Sequence, residues 1–239
     1  MALISWHEAI DRLNPFIFRI STPDGSGTGW LVSQSNATPL CVIATAGHVI
    51  AHAHYWEEPI RLTHHSSGET SLLRAGDRAI NIDHNSDTAA ITFDRGAIVL
   101  PEAPLPLIEL DYHLKPGVEI GWLGFPAIPG ANLCFFSGRT SAYLQETNSY
   151  LVDGVAINGV SGGPAFQQID DKPELIGVVS AYIPNMATGT VLPGVAVVRD
   201  VNRFHDFANR LRTLDEAQAQ QSAPKESPPP PTPETPTRA

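Results

Sequence analysis

Short apolar runs recur along most of the chain between clusters of Gly, Pro, Asn and Asp: FIFRI, GWLV, CVIATA, AAITF, VEIGWLGF, ELIGVVSAYI and GVAVV. Runs of this kind, punctuated by turn formers, are the signature of an all-β sandwich or barrel. At 239 residues the chain is long enough for one unit built from two small barrels. Helical spacing shows only towards the two ends. Ser5-Trp6-His7-Glu8 has the S-x-x-E form of a capping box, with Trp6, Ile10 and Leu13 at helical spacing before Pro15. Val201, Phe204, Phe207, Ala208 and Leu211 recur at steps of three and four, which predicts a helix over 201–213. From 214 to 239 the chain turns polar and then proline-rich, ending SPPPPTPETPTRA. Such a segment cannot bury enough apolar surface to repay ordering, so a disordered tail is expected, either a solvated linker or a ligand for an aromatic groove.

Charge and composition exclude several functions. A formal charge of −10 with no basic run disfavours a nucleic-acid partner, since phosphate binding draws on clustered Lys and Arg. No stretch is long and apolar enough to span a membrane. The opening MALISWHEAIDRLNPF carries acidic residues and breaks its apolar pattern early, unlike a signal peptide. Cys41 and Cys134 lie far apart and form no C-x-x-C pair, so no disulfide or metal knuckle is indicated. Together these features place the chain in a reducing compartment, with the cytoplasm as the expectation.

Three motifs carry chemistry. Gly159-Val160-Ser161-Gly162-Gly163-Pro164 holds a serine on a turn of small residues, as acyl transfer needs when backbone N–H groups must point at a developing oxyanion. Those N–H groups would be the ones of Gly159 and Ser161. A serine needs a base to take its proton, and Thr45-Ala46-Gly47-His48 supplies an imidazole at the end of an apolar run. A carboxylate must then fix the tautomer, and Asp87 in Ser86-Asp87-Thr88-Ala89-Ala90-Ile91 opens the next apolar strand. Asp83 stands nearby as a competitor; Asp87 is favoured because the strand follows it at once, whereas Asp94 falls at that strand's far end.

With TAGH, SDTAAI and GVSGGP in this order, the chain resembles the chymotrypsin-like serine peptidases. The run Gly25 to Val32 is similar to the first-barrel strand of the bacterial HtrA and glutamyl-endopeptidase branches, and Gly121-Trp122-Leu123-Gly124-Phe125-Pro126 with Ser137-Gly138 to second-barrel segments of the HtrA branch. The likeness spans roughly residues 16 to 200. It implies a double six-stranded β-barrel, over about 16–110 and 111–200, within a peptidase domain of 1–213. The cleft would lie between the barrels, with a protein or peptide as substrate and neither metal nor organic cofactor. It further implies that Val155, Ala156 and Ile157 line the primary specificity pocket, and that Ser180, Ala181 and Tyr182 form the edge that pairs with substrate. A pocket without Asp or Glu points to a small or medium apolar residue at the cleavage position.

Departures from the family matter as well. The activation N-terminus is missing and Val160 replaces the acid it would pair with, so zymogen cleavage is not expected. Val49 stands where secreted animal enzymes carry cysteine, and no PDZ-like domain follows. A latent peptidase, or a pseudopeptidase that binds proteins without cutting them, is the alternative reading. His52, His54, His64 and His65 invite a zinc site, but without H-E-x-x-H or a matching acid they read as surface histidines in a loop. Trp30 and Trp122 read as core.

Overall fold

The computed structural model describes residues 5–169, 172–184 and 191–222. The opening helix, α1 (Trp6–Leu13), starts as its capping box requires: the Ser5 hydroxyl accepts from the Glu8 amide at 3.3 Å, and the Ser5 amide donates to the Glu8 carboxylate at 2.9 Å.

Among the described residues thirteen strands follow in two groups. The first comprises β1 (Ile17–Ser21), β2 (Ser26–Gln34), β3 (Leu40–Ala46), β4 (Ile60–His64), β5 (Thr70–Leu73), β6 (Arg78–Asp83) and β7 (Thr88–Asp94), in the antiparallel order β5-β4-β1-β2-β3-β7-β6. The second comprises β8 (Glu119–Gly124), β9 (Cys134–Leu144), β10 (Ser149–Asp153), β11 (Pro164–Ile169), β12 (Lys172–Pro184) and β13 (Val191–Asp200), and closes into a barrel in the order β10-β13-β12-β11-β8-β9. The architecture is all-β, with a closed six-stranded barrel beside a seven-stranded sheet that curls into a half-barrel. At the start of β6 the Arg78 guanidinium donates to the carbonyls of Leu73 (2.8 Å), Ala53 (3.0 Å) and Glu58 (2.7 Å).

The runs read as continuous because several strands are buried on both faces. Along β3, Cys41 and Ile43 face the interior of the first sheet with Phe18, Leu31, Ile91 and Phe93. Val42, Ala44 and Ala46 face the other way, into a cluster shared with Trp30, Trp122, Val160, Phe166 and Val178. Successive side chains of a strand alternate faces, so burial on both sides erases the apolar–polar alternation. Trp30 and Trp122 are fully buried, as core residues.

A helix between β3 and β4, α2 (Gly47–Tyr55), and the last helix, α3 (Asn202–Ser222), complete the fold. Phe204 of α3 packs edge-on against Trp30, ring centres 5.6 Å apart. The expected helix end at 213 is corrected: α3 runs on through 214–222, a stretch placed by the sequence reading in a disordered tail. Its LDEAQAQQS sequence favours helix, and the Asp215 carboxylate accepts from the Asn36 amide at 2.7 Å and from the Ser35 hydroxyl, holding the extension to the β2–β3 turn. The rest of the proline-rich tail, 223–239, lies outside the described residues.

Candidate active site

His48 lies in the first turn of α2, one residue after β3 hands the chain to the helix at Gly47. Asp87 immediately precedes β7, whose Thr88 pairs in register with Ala46. This juxtaposition lets one residue receive the whole helix start. The Asp87 carbonyl accepts from Gly47 N–H at 2.9 Å, Oδ1 accepts from His48 N–H at 2.8 Å, and Oδ2 meets His48 Nδ1 at 2.8 Å. First-turn amides have no partner within their own helix, so a carboxylate there is doubly suited. Asp87 adopts a left-handed backbone (φ +49°), which Asp tolerates better than most side chains. The Ser180 hydroxyl adds a third donor to the carboxylate, reaching Oδ2 at 2.5 Å. Burial raises the Asp87 pKa, but the hydrogen bonds from His48 and Ser180 and the charge of His48 outweigh it, so the group sits below the usual carboxylate range. A ring that donates through Nδ1 leaves Nε2 as acceptor when neutral.

Ser161 sits on a loop clamped between the two sheets. Gly159 has φ +89° and a Cβ there would lie 2.3 Å from the Phe125 carbonyl; at Gly162, φ +88°, it would lie 2.0 Å from the Thr28 carbonyl. Only glycine fits either place. Thr28 of β2 ties the loop down, donating through Oγ1 to the Gly159 carbonyl (2.9 Å) while accepting from Phe125 N–H (3.0 Å) and giving its own amide to the Ser161 carbonyl (2.8 Å). The amides of this loop alternate. Val160 N–H is taken by Ile157 and Gly162 N–H by Val179, whereas Gly159 and Ser161 N–H have no partner among the described residues. The Ser161 hydroxyl donates to the Ser180 carbonyl at 3.1 Å. Gly159, Ser161, His48, Val49 and His52 line one cleft of about 190 Å³, closed on the other side by Thr22, Asp24, Gly25 and Ser26.

No family model matches the chain, and no curated protein matches its sequence. The crystal structure of the serine endoprotease from Yersinia pestis aligns with a TM-score of 0.62 over 88% of this chain and 68% of that one, at 19% identity. The fold is chymotrypsin-like. At that identity the likeness concerns architecture, and the chemistry rests on the side chains themselves.

The remaining expected site residues divide. Ser180 meets Asp87 through its hydroxyl and Ser161 through its carbonyl. Ala181 and Tyr182 continue β12 beyond Val178, where β11 stops pairing with it, and pair with β13 on one side only; their side chains lie outside the described residues. Val155 is half-exposed, and Ala156 and Ile157 pack partly against the barrel core. Asp83, the competing carboxylate, bonds Arg203 of α3 at 2.9 Å instead. Of the four histidines, His65 lies in the turn after β4 as expected, whereas His52 and His54 are exposed on α2, and His64 is buried in β4 with its ring nitrogens on Ser67 and the Pro15 carbonyl, 2.9 Å each. Strand alternation marks the position, since His64 shares the inward face with Ile60 and Leu62. Thr28 was not singled out from sequence; its signal is a lone threonine within the buried stretch 27–32 of β2.

Proposed function

We propose that the protein is a serine endopeptidase that cuts protein or peptide chains through Ser161, His48 and Asp87 by way of an acyl-enzyme. One observation carries the reading: His48, held by Asp87, shares a cleft with a serine whose own amide and that of Gly159 are both without partner among the described residues. His48 Nε2 takes the Ser161 proton as Oγ attacks the substrate carbonyl, and the two free amides receive the oxyanion. Asp87 steadies the imidazolium, which then gives its proton to the leaving amine. Water, deprotonated by the same ring, hydrolyses the ester. The scheme calls for no metal and no organic cofactor.

Substrate binding completes this arrangement. An extended peptide added along the free edge of β12 brings an N–H to the Ser180 carbonyl, which releases the Ser161 hydroxyl towards His48. Val155, Ala156 and Ile157, with no acid among them, favour a small or medium apolar residue before the cut. The resemblance of the segments around Trp30 and Trp122 supports a reading nearest to the bacterial HtrA and glutamyl-endopeptidase type. A reducing, cytoplasmic setting suits the two free cysteines, since burial pushes the Cys41 thiol up to about 12 and leaves it unreactive.

Casein and an unbiased peptide mixture, digested by wild type and by Ser161→Ala, test the reading. Cleavage after small apolar residues that disappears in the variant is expected; efficient cleavage after Arg contradicts the pocket assignment. The Ser161–Ser180 bond favours a second reading, a peptidase latent until peptide arrives. In that case fluorophosphonate reacts faster when a product-like peptide is present, and an unchanged rate removes this reading.

A further inference from the structure

Four residues stand directly opposite one another across successive strands. Ser26 of β2 pairs with Ser21 of β1, Ser21 with Arg61 of β4, and Arg61 with Leu72 of β5. Directly opposed residues of antiparallel strands share a face, so the row leads from the rim of the active-site cleft to Arg61. A second cleft of about 240 Å³ lies along it, lined by Ser21, Thr22, Pro23, Pro59, Arg61 and Leu72, and Thr22 belongs to both clefts. Arg19 stands two residues before Ser21, hence on the same face, with its guanidinium 5.8 Å from the centre of the Phe125 ring. Neither Arg19 nor Arg61 has an ion-pair partner among the described residues. Two unneutralised cations beside the cleft of a chain with formal charge −10 call for an anionic occupant.

The register also places that occupant along the substrate, on the reading of the site given above. The acyl part of the substrate follows the free edge of β12, so the leaving part departs on the opposite side, over His48 and the Thr22–Ser26 turn. The Ser161 carbonyl is held by Thr28 N–H, two residues from Ser26. From Ser26 to Arg61 is two inter-strand steps, roughly 10 Å, or about three residues of extended peptide at ~3.3 Å each. Asp24, exposed at the rim of the first cleft, repels an acid placed sooner.

We propose that Arg61, assisted by Arg19, is a specificity-determining residue that selects substrates with Asp or Glu roughly two to four positions beyond the scissile bond. Pro23, Pro59 and Leu72 flank the acid and hold the peptide extended.

The test uses peptides carrying Glu or Lys at each of the first four positions after an apolar cleavage residue. Two readouts are taken: kcat/KM with the wild type, and binding to Ser161→Ala by fluorescence anisotropy. Glu is expected to exceed Lys by roughly five- to tenfold at one of the second to fourth positions, given that an exposed ion pair contributes up to ~1 kcal/mol and Lys adds repulsion. The ratio shrinks in high salt. Arg61→Glu is expected to invert it, an outcome that mere loss of folding cannot produce because it lowers both peptides alike. Equal binding of Glu and Lys peptides at all four positions overturns the proposal, as does a ratio unchanged in Arg61→Glu. If the wild type hydrolyses none of the peptides, the peptidase reading fails, while the binding ratio on Ser161→Ala still decides the role of Arg61.

Discussion

The Asp87 carboxylate accepts at once from the His48 ring, the His48 amide and the Ser180 hydroxyl. Asp87→Asn keeps the shape but gives Nδ1 an amide to face, which favours the wrong tautomer. Its kcat is expected to fall by about 10⁴ with the fold intact, measured by turnover and circular dichroism. Because the folded-state pKa is depressed, the stabilisation from Asp87 is fully present above its unfolded value, about 3.9, and is lost as pH falls through the folded value. Thermal melts from pH 7 to 2 are therefore expected to show a shallower acid limb in Asp87→Asn than in wild type. Ser180→Ala removes one donor to a charged acceptor, which shifts the acid limb of wild type upward in pH and lowers kcat by roughly tenfold; an unchanged limb contradicts the role given to that hydroxyl. The three motif residues were legible in sequence because each sits beside small residues at a strand end. The Ser180 contact was not, since its partner lies 93 positions away and nothing in VVSAY marks it.

At the scale of elements, the GVSGG loop is a backbone device held by contacts from both sheets. Gly159→Ala places a Cβ 2.3 Å from the Phe125 carbonyl in a left-handed conformation, so the loop must turn its amides away. A loss of about 10² to 10³ in kcat is expected, with KM less affected, in steady-state assays. The sequence showed that these glycines mattered, but what they avoid, the Phe125 and Thr28 carbonyls, comes from distant strands. Helix α3 was legible through Phe204 and Leu211, both buried. Its far end was not, because the 214–222 stretch has no apolar face and depends on Asp215 reaching the β2–β3 turn. Phe204→Ala, which leaves a hole beside Trp30, is expected to cost about 3–5 kcal/mol in urea unfolding.

Across the whole molecule, one apolar cluster joins the two sheets. Trp30, Val42, Ala44 and Ala90 of the first pack with Trp122 and Phe166 of the second and with Val160 of the loop before β11, and α3 crosses from the end of β13 onto β2. Short apolar runs therefore announced an all-β body correctly. They could not show that the first sheet stays open, because strand order is set by pairing between segments far apart in the chain. A shared core couples the two halves: calorimetry is expected to give one transition with equal van't Hoff and calorimetric enthalpies, and two resolved transitions contradict that coupling.

The assignment of Ser161 as nucleophile is most directly tested by a fluorescent fluorophosphonate, with the labelled residue located by mass spectrometry in wild type, Ser161→Ala and His48→Ala. The account predicts one adduct, on Ser161, absent from Ser161→Ala and strongly slowed in His48→Ala. A wild-type protein that remains unlabelled with and without peptide, or an adduct on another residue, contradicts it.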